Sequence, residues 1–168
     1  NPRSVIFIEE IKISKSMRKI LKKELFTVTF DKCFEEVICA CGDVRDETWI
    51  SEKFVETYTK LYDMGIAHSV EVWNGKRLVG GLYGLSLGKM FFGESMFSIE
   101  TNSSKIALIK LCEYLREKNY YVVDCQVHNS HLESMGAREI ERSEFLKILE
   151  NQINKKGKYS KWDIQDKK

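Results

Sequence analysis

The sequence predicts an α/β fold: a mixed sheet flanked by helices, with a helical arm before it. Three observations carry this. Ser69-Val70-Glu71-Val72-Trp73 alternates like a half-buried strand and runs into Asn74-Gly75, a strong hairpin signal. Tyr120 to Cys125 is a near-continuous apolar run, as expected of a central strand covered on both faces. Between them lies a helix with an unbroken apolar stripe. After residue 65 the order reads strand, strand, strand, helix, strand, helix, which is one α/β layer. Residues 1–64 form the arm, 65–154 the core, and 155–168 a basic tail that reads as frayed.

The arm opens with a short apolar strand, Ser4 to Ile8. In the next segment Met17, Leu21 and Leu25 recur every four residues and form one helical stripe. Lys15, Arg18, Lys19 and Lys22 share another face by their i, i+3, i+4, i+7 spacing. Phe26 to Phe30 alternates apolar residues with threonine and reads as a strand. Asp31 resembles an N-cap for a helix bearing Phe34, Val37, Ile38 and Cys41, with Gly42 as its stop. A further helix runs from about Ser51 to Met64. Its buried side is Phe54, Tyr58, Leu61 and Tyr62, and Gly65 ends it.

In the core, Leu78 to Leu87 is the return strand of the hairpin. Gly80, Gly81 and Gly84 weaken it and point to a bulge or to close approach by a ligand or another backbone. Gly88-Lys89 turns the chain into Met90 to Phe97. Ser103 or Ser104 caps the clearest helix, whose stripe is Ala107, Leu108, Leu111, Cys112 and Leu115. A short helix near Ser130 to Met135, a break at Gly136 and a helix from Ser143 to Ile153 follow.

Composition narrows the function classes. The 168 residues carry 27 basic and 25 acidic side chains, so net charge alone announces no nucleic-acid partner. Five cysteines, an odd number, without a recognisable signal segment read as a reduced cytoplasmic protein. Cys39-x-Cys41 lacks a second ligand pair, and His68, His128 and His131 are not spaced as ligands, so no metal is expected. The apolar runs are too short to cross a bilayer. The chain opens Asn1-Pro2-Arg3, without an initiator methionine, and reads as the middle of a longer protein.

Five ordered motifs carry a resemblance. They are Glu71-Val72-Trp73, then Val79-Gly80-Gly81-Leu82-Tyr83-Gly84, then Gly93-Glu94-Ser95-Met96-Phe97-Ser98, then Asp124-Cys125-Gln126, then His131 to Ala137. Together they resemble the leucyl/phenylalanyl-tRNA–protein transferase family, from Asn1-Pro2-Arg3 to about Leu149. The resemblance implies a catalytic domain folded like the N-acetyltransferase superfamily. It implies transfer of leucine or phenylalanine, in some members methionine, from aminoacyl-tRNA to proteins starting with arginine or lysine, which marks them for degradation. It also implies no cofactor. The chain is expected to act as a monomer.

The resemblance assigns site residues as well. Asp124 and Gln126 match a relay near the ester, and a strand period of two points both to one face. On this reading Asp124 holds Gln126, whose carbonyl orients the attacking amine. Gly93, Glu94, Ser95 and Met96 match a motif lining the aminoacyl pocket, with Gly93 admitting the ester and the Glu94 carboxylate available to the donor's α-ammonium. Leu82, Leu108, Leu111, Leu115 and Val123 match the slot for the donor side chain and are equally an ordinary core stripe. Trp49 matches a tryptophan that flanks the terminal adenosine of tRNA. The family's second such tryptophan, and a small N-terminal domain, lie upstream of the position of Asn1-Pro2-Arg3. The basic face Lys15, Arg18, Lys19 and Lys22 matches a segment that contacts tRNA, where phosphates would be met; a solvated helix face is the plain alternative.

Rival readings are an acetyl-CoA-dependent N-acetyltransferase, a non-catalytic tRNA-binding module and, more distantly, a peptidoglycan-bridge transferase. Coenzyme A is disfavoured by Ser98-Ile99-Glu100-Thr101-Asn102-Ser103, which offers no glycine and carries an acid where pyrophosphate would sit.

Overall fold

A computed structural model describes residues 1–44, 52–157 and 159–162, with the side chains of residues 43 and 44 left aside. The strands are β1 (Arg3–Phe7), β2 (Thr27–Phe30), β3 (Ala67–Asn74), β4 (Arg77–Leu87), β5 (Met90–Ser98), β6 (Val122–Gln126) and β7 (Arg138–Ile140). The helices are α1 (Lys15–Lys22), α2 (Phe34–Val44), α3 (Glu52–Asp63), α4 (Ser103–Glu117), α5 (Ser130–Glu133) and α6 (Arg142–Ile153). Hydrogen bonding orders the strands β2-β3-β4-β5-β6-β1-β7. β5 and β6 are parallel, joined by α4, and the pairs β1/β6, β1/β7, β2/β3 and β3/β4 are antiparallel. The mixed α/β sheet expected from the sequence is therefore present.

The chain divides into two compact units. The first comprises Asn1–Lys23, Ser86–Gly93 and Ile109–Gly157. Its core joins Val5, Phe7, Met90, Val122, Ile140 and Phe145. Strand β6 is central here, flanked by β5 and β1, as its apolar run requires. The three-residue β7, which no sequence pattern announced, pairs with β1. Gly88 turns at φ +58°, and a Cβ there would fall 2.2 Å from the Gln152 carbonyl oxygen, so only glycine lets α6 close on this turn. In α1, Ser14 caps the helix by accepting the Met17 N–H at 3.2 Å, and Met17 is buried. The helix ends at Lys22, three residues short of Leu25, which is 61% exposed and leaves the expected stripe.

The second unit comprises Glu24–Leu85, Glu94–Leu108 and the described part of Lys158–Lys168. Phe34, Val37, Ile38, Cys41, Ala67, Tyr83 and Phe97 form its core, with Phe54, Tyr58, Leu61 and Tyr62 of α3 packed against it. The β3–β4 hairpin pairs Asn74 with Arg77, leaving Gly75 and Lys76 as the loop. Gly75 takes φ +60° as the first loop residue, a glycine-first turn rather than an Asn-Gly loop. Gly80 and Gly81 of β4 admit protein rather than ligand: a Cβ on Gly80 would meet Ser103 Oγ at 2.3 Å, and one on Gly81 the Val70 carbonyl oxygen at 2.6 Å. The register also slips between Val72 and Trp73, so the expected bulge is there.

Three local expectations are corrected. Asp31 does not cap α2. It sits at φ +53°, and its buried carboxylate accepts from the Ser69 N–H (2.9 Å), His68 Nδ1 (2.7 Å) and the Trp162 N–H (2.7 Å). Gly42 does not stop α2, which continues to Val44. The tail is not frayed over 159–162, because Trp162 is buried and its indole stacks on His68 with ring centroids 3.8 Å apart. Gly65 admits this segment, since a Cβ there would lie 2.4 Å from the Ser160 nitrogen.

Candidate active site

Strand pairing of β1 with β6 builds the first part of the site. Ser4 lies opposite Gln126 and Val5 opposite Asp124, so Cys125 is skipped and the strand bulges there. Gln126 leaves the strand at φ +68°, in a left-handed conformation costing a non-glycine residue about 1–3 kcal/mol. The same-face argument for Asp124 and Gln126 is therefore corrected, because strand alternation stops at the bulge. A hydrogen bond links them instead: the Gln126 backbone N–H donates to Asp124 Oδ1 at 2.9 Å.

Asp124 is 0% exposed, and its charge is matched by Arg3. The guanidinium donates from Nε to Oδ1 at 2.9 Å and from Nη2 to Oδ2 at 2.6 Å, a two-pronged fork on a planar carboxylate. Gln126 Nε2 donates to the Gly93 carbonyl oxygen at 2.8 Å. That bond decides which way the amide points, because a flipped amide would set oxygen against oxygen. Oε1 is left as the acceptor. At Gly93 an added Cβ would come within 3.3 Å of the Asp124 carbonyl oxygen, a tight fit that glycine avoids.

In the second unit Glu94 hydrogen-bonds the Tyr58 hydroxyl. Burial first, then the negative charge of Glu94 and that hydrogen bond, push the phenol up to about 12. Tyr58 therefore stays a neutral donor holding the carboxylate. Next to it, Ser95 Oγ is buried without a hydrogen-bond partner among the described residues, and Met96 is half-buried. The apolar residues assigned to the donor slot are all interior: Leu82 and Leu108 in this unit, and Leu111, Leu115 and Val123 in the first. Lys15, Arg18, Lys19 and Lys22 all stand exposed on α1. Trp49 lies outside the described residues.

Two contributors escaped sequence reading. Arg3 marks only where the resemblance begins and carries no role in the sequence reading; its one signal is a basic residue beside a short apolar strand. Tyr58 was read as helix core alone. A groove of about 480 Å3 between α2 and α3, lined by Cys33, Phe34, Glu36, Thr59, Tyr62 and Asp63 among others, includes none of the expected residues. No thiolate nucleophile is offered by Cys33 or Cys125, since burial chiefly pushes each thiol up to about 12. Among the described residues no disulfide joins the five cysteines.

Comparison with known proteins decides the family. The sequence profile described as leucyl/phenylalanyl-tRNA protein transferase matches residues 5–150. This chain belongs to that family. Curated relatives named leucyl/phenylalanyl-tRNA–protein transferase agree. The Flavobacterium johnsoniae protein is 55% identical over 155 residues, covering 90% of this chain and 73% of the relative. That of Syntrophobacter fumaroxidans is 49% identical, covering 91% and 67%. One from Legionella pneumophila is 48% identical, covering 98% and 75%. Membership makes the chain part of a transferase enzyme family acting in aminoacyl transfer. Among solved structures, an aminoglycoside acetyltransferase from a soil metagenome shares the fold at TM-score 0.53 and 13% identity, over 76% of this chain and 86% of that one. L-PGS from Bacillus licheniformis does so at TM-score 0.53 and 12% identity, over 73% and 45%. These two likenesses speak for the acetyltransferase-like fold alone. No helix among the described residues is long and apolar enough to cross a membrane.

Proposed function

We propose that this chain moves leucine or phenylalanine, or methionine as in some members of the family, from aminoacyl-tRNA to the α-amine of proteins beginning with arginine or lysine. The step belongs to an N-degron route in the cytoplasm, and the chain performs it as a monomer. The observation that carries this reading is the Gln126 amide, pinned by Gly93 and braced by Asp124, with its oxygen left to accept.

The chemistry needs little more. The donor ester is already activated, and the attacking α-amine, with a pKa near ~8, is substantially neutral at cellular pH. The amine nitrogen attacks the ester carbonyl carbon. An amide bond forms, and the bond to the tRNA's terminal ribose oxygen breaks. The amine's surplus proton leaves and the ribose oxygen gains one. Gln126 Oε1 accepts an N–H of the amine and so aims its lone pair; it orients rather than takes the proton. Asp124 holds Gln126. Glu94, fixed by Tyr58, takes the donor's α-ammonium, and Gly93 keeps the backbone open to the ester. Ser95 and Met96 flank Glu94. Leu82, Leu108, Leu111, Leu115 and Val123 receive the apolar donor side chain. Trp49 stacks on the terminal adenosine, and Lys15, Arg18, Lys19 and Lys22 meet tRNA phosphates.

Acetyl-CoA use is disfavoured by the start of α4. There the Ser103 N–H donates to the Glu100 carbonyl oxygen at 3.2 Å and the Ser104 N–H to Ser98 Oγ at 3.4 Å. Amides that would cradle pyrophosphate are thus engaged locally, beside an acidic Glu100. The test is transfer of radiolabelled leucine from charged tRNA to an Arg-starting peptide, with the same peptide blocked at its α-amine as control. Label on the open peptide alone is expected. Equal labelling of both peptides, or transfer from acetyl-CoA instead, would refute the proposal.

A further inference from the structure

We infer that Arg3 is a positioning residue for the transfer step, acting through Asp124 and the Gln126 backbone on the Gln126 amide. This rests on the reading of Gln126 given above. The links are consecutive and all lie within the first unit. Arg3 opens β1, and its guanidinium sits 5.0 Å over the Phe145 ring, which holds the fork in place from the α6 side. The fork occupies both carboxylate oxygens of the fully buried Asp124. The carboxylate in turn accepts the Gln126 backbone N–H, closing a tight turn around the bulge at Cys125. That turn holds Gln126 in its left-handed conformation. From there Nε2 reaches the Gly93 carbonyl oxygen at 2.8 Å.

The Asp124 carboxylate accepts from N–H groups of Arg3 and of the Gln126 backbone, while the Gln126 side-chain amide donates to the Gly93 carbonyl oxygen instead. The acid therefore acts on the amide by fixing the backbone beneath it. A buried carboxylate without its cation is a poor anchor, since desolvation disfavours its charge. Lysine cannot replace the fork, because it offers a point charge where two parallel N–H bonds are needed. Arg3 does not touch substrate in this account.

The experiment compares the wild-type protein with Arg3→Ala, Arg3→Lys and Gln126→Ala in single-turnover and steady-state transfer from leucyl-tRNA to an Arg-starting peptide. Displacement of a reacting group by about 1 Å costs on the order of 100-fold in rate. Arg3→Ala should therefore lose kcat on that scale while KM for leucyl-tRNA stays within about threefold, the signature of lost positioning rather than lost binding. Methylguanidinium added at tens of millimolar should restore at least about tenfold of the Arg3→Ala loss, by refilling the fork's place. It should leave Gln126→Ala unaffected. Arg3→Lys keeps the charge and most of the packing, and should still lose kcat by about tenfold or more.

Three results would overturn the inference: kcat unchanged in Arg3→Ala, wild-type kcat in Arg3→Lys, or a loss that appears as raised KM for tRNA with altered salt dependence and no rescue. The last would make Arg3 a phosphate contact. A wild-type protein that transfers nothing would instead overturn the proposed function. A Gln126→Ala variant at full rate would overturn the role of Gln126. These failures remain distinguishable from that of Arg3.

Discussion

Removing the Asp124 carboxylate tests the frame of the site most fully. Asp124→Ala takes two bonds from the Arg3 guanidinium and the acceptor from the Gln126 N–H. Breaking one side of a buried ion pair costs about 3–5 kcal/mol. Here the guanidinium is 33% exposed and regains water, which lowers the expected cost to about 2–3 kcal/mol. At about 2–4 °C per kcal/mol for a chain of this size, Tm should fall by roughly 4–12 °C. Activity should fall further than stability. Gln126 is no longer held in its left-handed conformation, and relaxation by about 1 Å costs on the order of 100-fold in rate. The assay is single-turnover transfer from leucyl-tRNA, run well below the lowered Tm, with tRNA affinity measured alongside. Affinity should change by less than about threefold. A folded Asp124→Ala protein that transfers at the wild-type rate would refute the reasoning.

Three more expectations concern other parts of the molecule. Trp162→Ala should cost about 3–5 kcal/mol, read as a Tm fall of roughly 6–20 °C, because it empties the space over His68; an unchanged Tm would mean that the 159–162 segment is not docked. Glu71 is fully buried, and burial above all holds its carboxyl above the usual range despite hydrogen bonds from Ser69, Thr29 and the Lys32 N–H. A raised folded pKa means that its contribution is complete below the unfolded value near ~4.3 and is lost as pH rises through the folded one. Glu71→Gln should therefore flatten the decline in stability over that window in urea titrations at stepped pH, and an identical pH profile would contradict it. Lys19→Glu with Lys22→Glu should weaken tRNA binding and reduce its log–log salt slope by about two, as loss of two phosphate contacts requires; an unaltered slope would return the face to simple solvation.

The fold was legible where one physical pattern dominated. The Asn74-Gly75 signal, the apolar run into β6 and the stripe of α4 each had a single structural solution, and all three appear. Legibility failed where tertiary partners override a local rule. Asp31 looks like a cap, yet β3 and the Trp162 segment capture its carboxylate. Leu25 keeps a helical spacing, but Glu24 at φ +47° has already broken the helix. Ser103 looks like a capping acceptor, yet its hydroxyl donates to the Val79 and Glu100 carbonyl oxygens against Gly80. For the site, Asp124, Gln126 and Gly93 were visible by motif, and the structure joins these three in one cluster. What strand periodicity could not reveal is how they are joined, because a bulge is a departure from the period. Arg3 was invisible for a related reason: it meets Asp124 across 121 residues, and nothing local in the sequence encodes that pairing.

The most direct measurement is the single-turnover rate of leucine transfer from charged tRNA to the α-amine of an Arg-starting peptide, for the wild-type protein and Gln126→Ala. Tandem mass spectrometry locates the new bond, and tRNA affinity is measured on the same samples. The account predicts leucine on the α-nitrogen, a rate reduced on the order of 100-fold in Gln126→Ala, and equal tRNA affinity in both. Equal rates in the two proteins, or tRNA bound by both with no peptide product from either, would contradict it.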